Sequence, residues 1–214
     1  MTSYIRRFLG REGKDFEALI GEKAMGEVRG LTGQERDDHI AFAYADRVAQ
    51  AGNFQYVCTA LVLNPQWNQP YFHLIYATRH PKGVEVFKQA ERNPMGFMEL
   101  ARADAQQRHR IDTTKNMELF TADQYEGGDL YLIGLRNRYL NAAHVRVETA
   151  LCRNKGPLPY DEAWKIACRF PLVWESDLRN WIKHDWRDKI NLLGMKPTQR
   201  VPKCQSGHSL VWTA

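Results

Sequence analysis

The chain has 214 residues, of which 43% are apolar and 26% are charged. These proportions are typical of globular proteins and exclude disordered, collagen-like and coiled-coil chains. The net charge of +5 is unevenly distributed: residues 1–145 contain 18 basic and 18 acidic side chains, whereas residues 146–214 contain 12 and 7. The whole excess lies in the last third, which favours two units, the second of them facing an anionic partner.

The composition also predicts a compartment. No apolar run reaches the roughly 18 residues that a membrane helix needs, so we expect no membrane partner. The first residues contain two arginines without the apolar segment that follows them in a secretory signal, which predicts a cytoplasmic protein. Cys204 and His208 are spaced as half of a zinc motif, but no second tight ligand pair accompanies them, so no metal site is expected.

Residues 1–115 predict helices packed on a β-hairpin. A short helix is expected over 15–20 and a longer one over 34–50, where acidic residues at its start match the helix dipole. Residues 54–63 and 71–78 are rich in β-branched and aromatic side chains, and the polar NPQWNQP turn between them predicts an antiparallel hairpin. Both strands are almost continuously apolar, which predicts burial on both faces under helices or a partner.

The segment Arg79-His80-Pro81-Lys82-Gly83 follows the second strand. Loops at strand ends often carry functional sites, and histidine can exchange protons near neutral pH, so His80 and Arg79 are the candidates for catalysis. A simple turn at the strand exit is the alternative, because no carboxylate partner is identifiable nearby. His73, which alternates with apolar neighbours, is read as a hydrogen-bonded core histidine rather than a ligand.

Residues 116–127 are polar and predict a linker, and residues 128–214 predict a second unit. Helical periodicity is present over 129–153, 160–169 and 175–193. A hairpin with a glycine turn and the strand SLVW follow. Three helices and then a hairpin is the order of a winged helix-turn-helix domain.

The third helix of this unit predicts a nucleic-acid-binding face. Basic side chains recur at every fourth residue, an arrangement that can neutralise phosphates, while amide and guanidinium groups can reach base edges. The alternative is a solvated helix face, since Asp185 and Asp188 dilute the positive charge. The candidate binding residues on the helix and on the wing of the hairpin are Arg179, Asn180, Lys183, Arg187, Arg200 and Lys203.

Common catalytic motifs are missing from the sequence. There is no GxGxxG after a strand, no GxxxxGK[ST], no GxSxG and no HExxH. The glycines of residues 10–33 do not follow a buried strand, so they predict no dinucleotide-binding loop.

Residues 55–95 resemble the three-Cys-motif partner protein family of bacteria and phages. The matching pattern is "YxLxxATxHPKGxExxK", and NMELF at 116–120 is similar to the short Leu-Phe segment that follows it in the family. The last 85 or so residues are similar to the family's C-terminal winged-helix domain. The residues that carry the resemblance are Tyr71, Leu74, Ala77, Thr78, His80, Pro81, Lys82, Gly83 and Val86.

The resemblance implies a fold. Family members have an N-terminal Rossmann methyltransferase-like half whose last two strands form an antiparallel hairpin. We therefore expect an α+β protein, with a partial α/β methyltransferase-like region over 1–115 followed by the winged helix over 128–214. The chain begins after the strand and glycine loop that bind S-adenosylmethionine, as in a C-terminal part or a short form of the family. No cofactor is expected in this chain by itself. S-adenosylmethionine is expected to bind only if a missing segment or a partner chain completes the site.

The resulting functional expectation is a nucleic-acid-binding or adaptor partner subunit, with DNA as the expected ligand, in a bacterial or phage nucleic-acid modification or defence-type system. The resemblance also implies a companion, a three-cysteine-motif protein similar to radical S-adenosylmethionine enzymes. One alternative is a part of an S-adenosylmethionine-dependent methyltransferase completed by another segment or chain. Another is a purely structural module that uses the exposed remainder of the hairpin as an interface.

Overall fold

The computed structural model describes residues 13–114 and 129–213. The predicted linker 116–127 and its NMELF segment lie outside the described residues. Helices and two small antiparallel sheets form a mixed arrangement, which confirms the α+β class. The first three helices are α1 (Gly13–Ile20), α2 (Glu22–Val28) and α3 (Gly33–Gly52), which include the two helices expected from periodicity.

A small apolar cluster joins the first three helices. It consists of Ile20, Met25, Val28 and Ile40. Asn53, the residue directly after α3, caps the helix with a left-handed φ of 49°. A Cβ on the preceding Gly52 would collide with the ring of Phe54, so the chain folds back tightly at this point only because the residue is glycine.

The predicted hairpin is confirmed. Strands β1 (Tyr56–Leu63) and β2 (Pro70–Thr78) pair antiparallel, with Tyr56 opposite Thr78. β1 is almost wholly buried, but the expectation of burial on both faces is wrong for β2, where Tyr71 is 53% and Leu74 is 44% exposed. The reason lies in the packing: β1 lies against α3 and two later helices, whereas the main helical contacts of β2 are with α3 and the helix that follows it.

Two helices follow the hairpin, α4 (Pro81–Arg92) and α5 (Met95–Thr114). Gly83 lies where α4 comes closest to β2. A Cβ there would lie 2.7 Å from the hydroxyl of Tyr76 and 2.9 Å from Oγ1 of Thr78. Glycine therefore permits the close approach of the helix to the strand.

The C-terminal part contains three helices and a three-stranded sheet. The sheet order is β3-β5-β4, with both pairs antiparallel. The elements are α6 (Leu130–Arg153), β3 (Leu158–Pro159), α7 (Tyr160–Cys168), α8 (Glu175–Asn180), β4 (Ile190–Leu193) and β5 (Ser209–Trp212). The first two predicted helices and the last strand are confirmed.

The third predicted helix, 175–193, is wrong beyond its first turns. After Asn180 the backbone widens into one π-helical turn, Trp181–Asp185, and residues 190–193 form strand β4. The amide of Trp186 donates to the carbonyl of Trp181 over 2.8 Å, five residues back. In an α-helix residues five apart point about 140° apart. The wider turn instead allows both indoles to be buried, Trp181 at 8% and Trp186 at 0% exposure.

One buried cluster draws side chains from both sides of the predicted linker. Tyr56, Cys58 and Val84 belong to it together with Leu135 and Trp164. The proposed domain boundaries at 115 and 128 stay a prediction. Within the described residues the hairpin region and the C-terminal helices share this core.

Candidate nucleic-acid interface

The carboxylate of Glu175, the first residue of α8, contacts side chains from three segments of the candidate interface. The guanidinium of Arg179 donates to Glu175 Oε1 over 2.6 Å, and the Tyr160 hydroxyl donates to the same oxygen over 3.1 Å. The thiol of Cys204 lies 3.7 Å from it. Arg179 is therefore committed to an ion pair along its own helix and is only partly exposed.

Burial shapes the ionisation of the groups around Glu175. The pKa of the Tyr160 phenol is raised by burial and then by the negative charge of Glu175. The pKa of the Cys204 thiol is raised by burial, by Glu175 and by Asp161. Both groups stay neutral at physiological pH, so Glu175 and Arg179 are the charged partners in this cluster.

The remaining acidic residue at the start of α8 caps the helix. Asp177 Oδ2 accepts a hydrogen bond from the Trp174 amide over 2.8 Å, and Asp177 Oδ1 accepts one from the Arg136 guanidinium over 2.9 Å. Its negative charge is matched by the helix N-terminus and by an arginine. It therefore subtracts little from the positive charge of the residues that follow.

Asn180, Lys183 and Arg187 are all exposed, but they lie in three different elements of secondary structure. Asn180 ends α8, Lys183 lies on the π-helical turn, and Arg187 lies in the turn that leads to β4. The expected row of Arg179, Lys183 and Arg187 on one helix face is wrong, because the π-helical turn breaks the four-residue spacing before Arg187 is reached.

The connection between β4 and β5, residues 194–208, makes hydrogen-bond contacts with helices α7 and α8. The Gln205 amide donates to Asp161 Oδ1 of α7 over 3.0 Å, and Cys204 reaches Glu175 of α8. Buried His208 accepts from the Lys203 amide over 2.9 Å. Gly194 and Gly207 supply the left-handed turns at its ends, with φ of 77° and 69°.

The region from 183 to 203 is strongly basic. It contains six basic and two acidic side chains, a net charge of +4. One of the two acids, Asp185, lies 3.3 Å from His144 Nε2. The basic side chains, all exposed, are Lys183, Arg187, Lys189, Lys196, Arg200 and Lys203.

Two further exposed basic residues of this region, Lys189 and Lys196, lie outside the set of candidates that the sequence predicts. Lys189 Nζ lies 3.7 Å from Glu148 and 5.7 Å from the ring centre of Trp212. Lys196 begins a turn in which its amide donates to Gln199 Oε1 over 2.9 Å. The available signal was the K-P-T-Q-R run after Gly194, which marks an exposed loop.

Arg79 and His80, the catalytic candidates, serve as helix caps in this structure. The Arg79 guanidinium donates to the carbonyl oxygen of Gly52 over 2.6 Å and lies over the Phe54 ring, closing the C-terminus of α3. His80 Nδ1 accepts from the Lys82 amide over 3.1 Å and so caps the start of α4. These contacts match the turn interpretation of the RHPKG segment, and catalysis by either residue stays a prediction.

The expectation of no metal site and no cofactor in this chain can be compared with the side chains that the structure describes. Among residues 13–114 and 129–213 no group of three or more His, Cys, Asp or Glu side chains is placed to hold a metal ion. Cys204 and His208 are engaged separately, by Glu175 and by the Lys203 amide. The described glycines before β1 lie on or between α1, α2 and α3. They do not form the strand-to-helix loop that cradles S-adenosylmethionine in Rossmann folds.

No protein-family model, no curated protein and no solved structure matches this chain. The resemblance to the three-Cys-motif partner family and its companion protein therefore stays a prediction. Within the described residues, no helix combines the length and apolarity needed to cross a membrane.

Proposed function

We propose that residues 130–212 are a winged helix-turn-helix unit that binds double-stranded DNA. The observation that carries this proposal is the order of elements. Helix α6, strand β3, helices α7 and α8, and strands β4 and β5 follow one another, and the sheet order is β3-β5-β4. In such units the last helix and the long connection between the final strands approach the duplex.

The charges support the same proposal. Five of the six exposed cations between 183 and 203 lie on the turn after the π-helical segment or on the following connection, and Lys183 lies on the π-helical turn itself. Cations of this kind neutralise phosphates and release counterions, which supplies most of the affinity for any duplex. Asn180, exposed at the end of α8, is the amide placed to read a base edge.

The anchored connection adds preorganisation. Gln205 and Cys204 are held on Asp161 and Glu175, so the connection that carries Arg200 is attached to α7 and α8 near its C-terminal end. A preordered loop loses less conformational entropy on binding. From the resemblance of residues 55–95 to the three-Cys-motif partner family, the chain is further proposed to act as an adaptor subunit in a bacterial or phage nucleic-acid modification or defence-type system.

Fluorescence anisotropy with a labelled duplex of about 20 base pairs, titrated at several salt concentrations, tests the proposal. The variant Lys183→Glu/Arg187→Glu/Arg200→Glu should weaken binding strongly. Three lost phosphate contacts should also reduce the slope of log affinity against log salt by about 2.7.

The matched control is Lys23→Glu/Arg29→Glu/Arg47→Glu, which makes the same change in net charge with exposed residues of α2, α3 and the turn between them. It should retain most of the wild-type affinity and salt slope. Absence of wild-type binding at low salt, or an equal loss in both variants, would contradict the proposal.

A further inference from the structure

The loop between β1 and β2, residues 64–69, displays an exposed tryptophan on a rigid support. Trp67 is 51% exposed, whereas the protein's other large aromatic side chains in β1 and α6–α8 are mostly buried. The Asn64 side chain accepts hydrogen bonds from the amides of Gln66 and Trp67 over 2.9 and 3.0 Å. This turn fixes the backbone on which the indole stands.

A buried arginine of α5 donates hydrogen bonds to three residues of this loop. Arg102 of α5 is 2% exposed, and its guanidinium donates to the carbonyl oxygens of Asn64 and Trp67 and to Asn68 Oδ1. Its Nε donates to Asp129 over 2.6 Å. Burying a guanidinium is costly unless its donors are used, and here they are used to order a surface loop.

The surroundings of Trp67 are polar and include two exposed arginines. Its indole meets His109 edge to face, with ring centres 4.8 Å apart. Arg108 and Arg110, on either side of that histidine in the sequence, are exposed, and two acidic residues, Asp104 and Asp112, lie one helical turn before and after Arg108. Arg108 pairs with Asp104, but an ion pair this exposed contributes little and exchanges readily for a phosphate.

We propose that Trp67 is a stacking platform for an unpaired nucleobase, with Arg108 and Arg110 contacting the adjoining phosphates. Sites for single-stranded nucleic acid combine exposed aromatic faces with basic residues along the backbone path. A protein-binding anchor, in contrast, usually lies in an apolar patch depleted of charge. The amides and cations around Trp67 therefore favour a nucleic acid. This site is separate from the residues proposed to bind duplex DNA.

Anisotropy titrations with labelled oligothymidine and oligouridine of about 15 nucleotides, at low salt, test this site. Trp67→Ala should weaken binding to at least one of them by about 5- to 150-fold. Trp67→Phe, which keeps a smaller aromatic face, should recover part of that loss. The thymidine and uridine arms show whether DNA or RNA is preferred.

Phe97→Ala is the matched control, because Phe97 is a 78% exposed aromatic residue on the same helix as Arg108. It should bind single strands like the wild type, and Trp67→Ala should change the urea midpoint little because about half of the indole is already exposed to solvent. Binding of duplex DNA should not depend on Trp67, so failure of the winged-helix proposal would leave this test intact. Absence of single-strand binding, or equal binding by wild type and Trp67→Ala, would overturn the site and leave Trp67 as an anchor for a protein.

Discussion

The ammonium group of Lys88 lies in the core, where the side chain is 4% exposed. Its three donors meet three acceptors: the carbonyl oxygens of Thr59 and Phe170, over 3.0 and 2.7 Å, and Glu91 Oε2 over 3.0 Å. The other oxygen of Glu91 accepts from the Leu172 amide over 2.9 Å. The network is fully satisfied, so its stability depends on every member being present.

Lys88→Met should therefore destabilise the protein, by about 3–5 kcal/mol, because it leaves the Glu91 carboxylate buried without its counter-charge. The double variant Lys88→Met/Glu91→Gln should lose less, since a neutral amide keeps the bond from Leu172 without a buried charge. Urea unfolding followed by circular dichroism measures both. Equal losses in the two variants would show that the charge of Glu91 is not the cause.

At the scale of elements, the packing of α4 on β2 depends on a single missing methyl group. Gly83 lies on the first turn of α4, within reach of the side chains of Tyr76 and Thr78. Tyr76 in turn stacks on Phe87 of the same helix, with ring centres 4.8 Å apart and planes 8° from parallel. The helix and the strand are thus held together by a close approach at one point and an aromatic pair at the next turn.

Gly83→Ala should weaken this packing. Its Cβ would fall inside contact distance of the Tyr76 hydroxyl, and overpacking of this kind costs about 1–3 kcal/mol. In a Tyr76→Phe background, which removes the hydroxyl and keeps the stacked ring, the same substitution should cost less. Chemical denaturation of the four proteins of this cycle gives the coupling. Additive losses would mean that the hydroxyl is not the obstacle.

At the scale of the whole molecule, the Asp38 carboxylate joins three elements. Its Oδ1 accepts from the Tyr139 hydroxyl over 2.6 Å and lies 3.1 Å from His73 Nε2, and its Oδ2 accepts from the Arg138 guanidinium over 2.5 Å. The pKa of the Tyr139 phenol is raised by its burial and then by this carboxylate. Helix α3, strand β2 and helix α6 are linked through one buried side chain.

This link and the shared apolar core predict cooperative unfolding. Five of the six tryptophans lie after residue 129, so fluorescence reports the C-terminal part, whereas circular dichroism reports helices throughout the chain. Both signals should give one coincident urea transition. Asp38→Asn should lower both midpoints together, by about 1–3 kcal/mol in stability, because it weakens a buried hydrogen-bonded acceptor.

Two separated transitions would contradict this expectation and would support the two independent domains inferred from the charge distribution. A shift of only one signal in Asp38→Asn would have the same meaning. His73→Gln, which keeps a side chain able to donate to Asp38, is the matched control and should shift the midpoints less.

How far the sequence predicts the site differs from residue to residue. Exposure of Lys183, Arg187, Arg200 and Lys203 follows from their charge and from turn-forming neighbours, and the structure places all four at the surface. The four-residue spacing predicts that Arg179 belongs to the same group. In the structure Arg179 instead pairs with Glu175, whose carboxylate is also contacted by Tyr160 and Cys204. These two residues come from other segments of the chain, so the spacing of residues along one helix does not predict this arrangement.

The long elements were determined by local sequence. Helix α3, helix α6 and the β1–β2 hairpin carry their periodicity, caps and turn within a few neighbouring residues, and the uneven charge is a property of the sequence itself. Only the tertiary structure decided the π-helical turn and strand β4. The four residues of β4 suit a helix or a strand equally well. Burial of Trp181 and Trp186 against His144 and pairing with β5 selected the strand, because these long-range contacts outweigh the weak preference of a short segment.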